Sequence, residues 1–176
     1  FGMLFLSGII YLPNRVILMV GLSIVCFHNL LDFIVVDGQS LGSILWYFLH
    51  QQAIVEVSES TSILFGYPII PWIGLMAIGY VLGSLFINYQ PKDRRALLIK
   101  YSCYSIGLFI ILRWLDFYGE PNSLTIQNSL IFTVMDFFNT TKYPPSLIFI
   151  LMTIGPSLLI LALIEKIKNR FTDFFI

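Results

Sequence analysis

The chain has 176 residues, 57% of them apolar and only 11% charged, too few ionisable side chains to cover a water-soluble surface. Its mean hydropathy of +0.85 points to lipid as the solvent for much of the fold, and its net charge of zero gives no basic excess of the kind that marks nucleic-acid binding. Cys26 and Cys103 both fall inside apolar runs, which argues against a disulfide framework or a cysteine metal site.

Phe1 to Leu12 is an apolar run ending at Pro13-Asn14-Arg15. As a helix it would reach only about 18 Å, against a hydrocarbon core of about 30 Å. It reads as the second half of a span, and the chain as a fragment cut at both ends. Four full spans follow at Val16–Val36, Tyr67–Asn88, Ala96–Leu115 and Pro144–Ile164. Each has roughly the 20 residues a crossing needs, and none shows the amphipathic period of a surface helix. The expected fold is an all-α polytopic transmembrane helix bundle, one domain over residues 1–176. Between the first two full spans, Leu41–Leu49 is apolar but too short to cross, with Trp46 and Tyr47 placed as interface anchors. Ala53–Val57 and Thr61–Phe65 flank Ser58-Glu59-Ser60 and read as a small hairpin. Leu130–Phe138 is a second short apolar segment, expected to lie in the interface.

Charge placement sets an orientation. Threading the spans alternately puts eight of the ten Lys/Arg on one side: Arg15, Lys92, Arg94, Arg95, Lys100, Lys166, Lys168 and Arg170. Only Arg113 and Lys142 fall on the other. The Lys/Arg bias makes the first side cytoplasmic. Both long loops then lie on the outer side, where a soluble substrate would meet the protein.

Chemistry-bearing residues cluster on that outer side. His28 and Asp32 are four apart, so on an α-helix they share a face, with Asn29 three before Asp32. Ionisable groups in a span are costly and face a cavity or a partner. A carboxylate one turn from an imidazole orients it, which is half of a general base. An inter-helix hydrogen-bond clamp explains the same pattern. His28 and Asp32 are the catalytic candidates. Asn29, His50, Arg113, Lys142 and Tyr143 are candidates for substrate binding. Arg113 and Lys142 run against the orientation bias and need acid partners, with Asp32, Asp116 and Asp136 available, or an anionic ligand. His28 and Asp32 are expected to approach Arg113, Asp116 or Lys142. On the cytoplasmic side, Arg94, Arg95 and Lys100 sit beside a polar-lined helix end and suit cofactor phosphates, although orientation signalling accounts for the same charges. Gly79 and Gly83 form a GxxxG, expected to serve helix packing. Pro144 and Pro145 suit a first helical turn, Ser146, Thr153 and Ser157 form a hydroxyl stripe, and Pro156 is expected to kink the helix near Met152. No HExxH, GxSxG, P-loop or paired-cysteine motif occurs, and no metal is expected.

Four blocks carry a family resemblance: the run from Tyr67 to Gly83 with its Pro71-Trp72-Ile73-Gly74, the run from Thr141 to Pro156 with its Lys142-Tyr143-Pro144-Pro145-Ser146, His28-Asn29-Leu30-Leu31-Asp32, and Leu45 to His50. Together they resemble a bacterial family of integral membrane proteins grouped with the catalytic domain of heparan-alpha-glucosaminide N-acetyltransferase. The resemblance spans most of the chain. It implies a transmembrane acyltransferase that takes acetyl from cytoplasmic acetyl-CoA, as co-substrate, and delivers it to a sugar amine across the membrane. It also implies that the acetyl-accepting histidine lies upstream of Phe1, and that a further span follows Ile176. From a different class, a non-catalytic transporter or a structural membrane protein is the alternative. A transporter of the common kind would show internal repeats with broken helices, and none is evident.

The orientation is directly testable. In intact cells, a cysteine placed at Arg94 is expected to resist an impermeant thiol reagent, while one at Glu59 is labelled. Labelling of position 94 from outside would overturn the orientation.

Overall fold

The computed structural model describes residues 2–165, and within them a helical membrane bundle. Four helices are long and apolar enough to cross a bilayer: Asn14–Phe33, Ile70–Asn88, Pro91–Leu115 and Leu147–Ile164. In chain order, α1 is Gly2–Ile9 and α2 is Asn14–Phe27, which tightens into a 3-10 helix at His28–Phe33. Helix α3 (Leu41–Leu49) and the antiparallel strands β1 (Ala53–Ser58) and β2 (Thr61–Phe65) fill the first long loop. Helices α4 (Ile70–Asn88), α5 (Pro91–Leu115), α6 (Leu130–Phe138) and α7 (Leu147–Ile164) complete the order. The short segment Leu130–Phe138, the helix Leu41–Leu49 and the hairpin occur where the sequence places them.

The span boundaries shift by a few residues, and the prolines explain most of this. Pro71 and Pro91 each lie at the first or second helical position, where the missing N–H costs nothing. Helix α4 therefore starts after Tyr67, and α5 starts at Pro91, before Ala96. Lys92, Arg94 and Arg95 belong to the α5 helix rather than to a loop. Pro144 and Pro145 are not in the first turn of α7. Ser146 caps that helix, its hydroxyl oxygen accepting from the Phe149 N–H at 3.0 Å, so the prolines lie before it. The helix runs on through Pro156 to Ile164. The hydroxyls of Thr153 and Ser157 donate to carbonyls of their own helix, so they form no polar stripe toward a cavity. Lys166, Lys168 and Arg170 lie outside the described residues.

The bundle is built from two antiparallel pairs. In the α2/α4 pair, Gly21 and Gly74 let the backbones meet: a Cβ on Gly21 would come within 2.9 Å of the Gly74 carbonyl oxygen, and one on Gly74 within 2.8 Å of Ile24. In the α5/α7 pair, a Cβ on Gly155 would strike Ile106 at 2.7 Å. Hydroxyls cross the same interface, Ser102 to the Gly155 carbonyl at 2.7 Å and Ser105 to the Leu151 carbonyl at 3.0 Å. The pairs join through two apolar clusters, Val25, Leu147 and Ile150 with Leu75 and Ile78 toward one end, and Leu98, Leu158 and Ala162 with Leu82 and Leu85 toward the other.

The expected packing role of Gly79 and Gly83 is not what the structure shows. A Cβ at either meets nothing within 4 Å among the described residues, so the close approaches are made by Gly21, Gly74 and Gly155 instead. Gly21→Val is accordingly expected to lower stability by about 1–3 kcal/mol through overpacking. Gly79→Val is expected to leave it unchanged. Thermal unfolding in detergent compares the two.

Candidate functional site

The change from α-helix to 3-10 helix at His28 decides which side chains meet. With three residues per turn, positions three apart stack, while those four apart separate. Asn29 and Asp32 therefore superpose, and Asn29 Nδ2 donates to Asp32 Oδ2 at 2.8 Å. His28 does not pair with Asp32. Its Nδ1 faces the carbonyls of Val25 (3.0 Å) and Ile24 (3.2 Å), and its Nε2 lies 2.8 Å from the Pro145 carbonyl. At 3% exposure, His28 is a buried clamp between α2 and the turn before α7.

The imidazole that reaches Asp32 belongs to His50. This residue closes the C-terminus of α3, and its Nε2 lies 2.8 Å from Asp32 Oδ1. The loop that delivers it is pinned at several points. Ser40 caps α3 through the Ser43 N–H, the Trp46 indole donates to the Ile34 carbonyl at 3.0 Å, and the Tyr47 hydroxyl reaches the carbonyls of Val36 and Gly38. The Gln51 side-chain amide pairs with both the N–H and the C=O of Val36, as a neighbouring strand would. Burial orders the pair: the His50 side chain is 3% exposed and the Asp32 side chain 26%. His50 Nδ1 is buried and has no hydrogen-bond partner among the described residues.

A third wall comes from the turn before α7, and Glu120 organises it. The Glu120 carboxylate accepts from the Thr141 N–H at 3.0 and 3.1 Å, from the Thr141 hydroxyl, and from the Ser146 hydroxyl at 2.7 Å. The Ser146 N–H donates back to the Thr141 carbonyl at 2.9 Å. Leu147, the first residue of α7, donates its N–H to Asn29 Oδ1 at 2.9 Å, tying this wall to the 3-10 helix. The three walls enclose a cleft of about 270 Å³. Its polar lining is Asn29, Asp32, His50, Gln51, Gln52, Thr141 and Tyr143. Tyr143 shares a hydrogen bond with the Tyr67 hydroxyl at 3.3 Å, and the Lys142 ammonium lies 5.1 Å from its ring centre. The Tyr67 hydroxyl and the Lys142 ammonium lower the pKa of the Tyr143 phenol, and Tyr143 raises that of Lys142.

The other sequence candidates lie elsewhere. Arg113 does not meet His28 or Asp32 and does not line the cleft. It is 1% exposed, and its guanidinium donates to the carbonyls of Asn122 (2.9 Å), Asp136 (2.8 Å), Phe137 (3.1 Å) and Asn139 (3.2 Å), with Asp116 Oδ1 at 3.6 Å. A cation on the last carbonyls of a helix offsets its dipole, so Arg113 closes the C-terminus of α6. The Asp136 carboxylate takes the Thr125 N–H and hydroxyl; these contacts, with the Arg113 charge, hold its pKa below the usual carboxylate range. Lys142 sits beside the cleft rather than in its lining. At the opposite end, Arg94 is paired with Glu165 and lies over the Phe86 ring at 4.4 Å. Arg95 is half-buried with its Nε unpartnered among the described residues, and Lys100 Nζ lies 5.8 Å from the Tyr104 ring centre. Of the three proposed phosphate ligands, Arg94 is thus committed to a carboxylate.

Glu120 is the residue that sequence reasoning passes over. It is one acid in an aperiodic loop, and nothing in its spacing announces three donors arriving from residues more than 20 positions later. The arrangement defines a helical membrane protein with a carboxylate–imidazole pair in a polar cleft at one end of the bundle. No protein-family model, curated protein or solved structure matches the chain.

Glu120→Ala is expected to lower stability by about 2–3 kcal/mol, since hydrogen bonds to a charged group are the strong ones and their donors are left without an acceptor. Thermal unfolding checks this, and loss of the Thr141 and Ser146 hydroxyls together is expected to cost less than loss of their common acceptor.

Proposed function

We propose that the chain forms the membrane domain of an acyltransferase, moving an acetyl group from acetyl-CoA at the Arg94 end to a sugar amine at the Asp32 end. In this reading the Arg94 end is cytoplasmic and the membrane is a bacterial inner membrane. The single observation that carries the reading is the Asp32 carboxylate, half-buried on the cleft wall and backed by His50. An amine must shed a proton as it attacks an acyl carbon, and a positioned carboxylate is the acceptor. The usual order is reversed: the carboxylate faces the substrate and the imidazole stands behind it as donor. The cleft lining holds one carboxylate and no Lys or Arg, which favours a cationic amine over an anionic ligand. Gln51, Gln52 and Thr141 offer donors and acceptors suited to the hydroxyls of a sugar. The family resemblance supplies the reaction class.

In proteoliposomes of the full-length protein, transfer from labelled acetyl-CoA to an enclosed amino sugar is expected. Asp32→Asn is expected to reduce turnover by at least about 100-fold, the size of a general-base contribution, and His50→Gln by less. Folded, inserted Asp32→Asn protein with full turnover would place the chemistry elsewhere.

A further inference from the structure

Asn29 is 5% exposed, and its two amide atoms are committed to different elements. Oδ1 accepts the N–H of Leu147 at 2.9 Å, and Nδ2 donates to Asp32 Oδ2 at 2.8 Å. A backbone N–H only donates. The Leu147 contact therefore fixes which end of the amide is oxygen and turns the NH₂ toward Asp32. With Oδ2 occupied, Oδ1 is the oxygen left for His50 Nε2, 2.8 Å away. An ionised carboxylate only accepts, so neutral His50 carries its proton on Nε2, and the lone pair sits on Nδ1, which has no partner among the described residues.

We propose that Asn29 is the positioning residue of the Asp32–His50 pair. It passes the fixed position of the α7 N-terminus to the carboxylate, and the carboxylate fixes the His50 tautomer. The role deepens the proposed acyl transfer and rests on Asp32 and His50 as its working pair. It stands beside the expectation that Asn29 binds substrate: each amide end holds one protein partner, and Asn29 also lines the cleft. Pinned on both oxygens, Asp32 keeps one direction toward the cleft, so an incoming amine meets a carboxylate in a single orientation. A mere anchor between α2 and α7 would need only the Leu147 bond. The bond to Asp32 is what makes His50 report on Asn29.

The test is ¹⁵N imidazole NMR of the chain in lipid nanodiscs. There are two histidines, and His50→Gln assigns the signals. Neutral His50 is expected as the Nε2–H tautomer alone. Asn29→Asp keeps an oxygen for Leu147 but turns a carboxylate on Asp32, and the single-tautomer signature of His50 is expected to disappear. Leu147→Pro deletes the anchoring N–H at a first helical position, where proline is tolerated. Ser146, at ψ 158, already has the conformation that precedes a proline, and the same loss is expected. Tyr118→Phe removes another cross-link of this end, the bond to the Cys26 carbonyl, and is expected to leave His50 unchanged. An Nδ1–H tautomer in the unmodified chain overturns the proposal, as do unchanged His50 signals in either folded variant; if one fails to insert, the other decides. Absence of acetyl transfer with the tautomer pattern intact would sink the proposed activity and leave the role of Asn29 standing.

Discussion

Lipid hydrocarbon offers no hydrogen bonds, so each polar group carried into the bundle must find its partner within the protein. That constraint explains where the buried polar residues go. Arg113 spends its guanidinium on the carbonyls of Asn122, Asp136, Phe137 and Asn139. His28 turns both ring nitrogens toward carbonyls, and Ser102 crosses to that of Gly155. Each is a side chain answering a backbone carbonyl within the protein. The exceptions are informative by contrast. Among the described residues His50 Nδ1, Trp72 Nε1, Arg95 Nε and Glu165 Oε2 are buried without a partner, and the first belongs to the residue bonded to the half-buried carboxylate of the cleft.

The same constraint shapes how the two helix pairs are joined. Apolar side chains gain nothing from leaving lipid for protein, so specificity falls to close backbone approach and to polar cross-links. Gly21, Gly74 and Gly155 supply the approach within pairs. Between pairs, the cross-links gather at the cleft end: His28 to Pro145, Asn29 to Leu147, and Tyr118 to Cys26. All three run from the end of α2 to segments near the ends of α5 and α7. The cleft is thus framed by these cross-links, and Glu120 stiffens its third wall from within a loop.

Much of the fold was legible because hydropathy over some 20 residues is a strong signal. The short helix Leu41–Leu49, the hairpin and Leu130–Phe138 also followed from local pattern. The helix ends were less legible, because Pro71, Pro91 and Ser146 move them by capping chemistry that hydropathy does not weigh. The GxxxG at Gly79 and Gly83 misled because the motif says that backbones can approach there, not that a partner stands opposite. Of the residues named from the sequence, Asn29, Asp32, His50 and Tyr143 line the cleft, but His28 was paired with Asp32 where His50 stands. The i, i+4 argument linking His28 to Asp32 assumes 3.6 residues per turn, and the chain tightens to three at that point. No single-residue signal marks the change. Arg113 was legible in part: its ion pair with Asp116 was among those expected, but its other partners are carbonyls, which carry no sequence signature and hold it away from the cleft.

The tightening at His28 has a consequence beyond pairing. On a continued α-helix, His28 and Asp32 would stack and Asn29 would point about 60° away from Asp32. The two side chains would then satisfy each other, and neither would link α2 to a second element. In the 3-10 form Asn29 and Asp32 stack instead. His28 is released to hold Pro145, and Asp32 is left with an oxygen for a residue 18 positions later. One local change of helical pitch therefore converts a closed pair within a single helix into contacts with the turn before α7 and with α3. The cleft exists because these contacts leave Asp32 on its wall, bonded from behind and from the side but open in front.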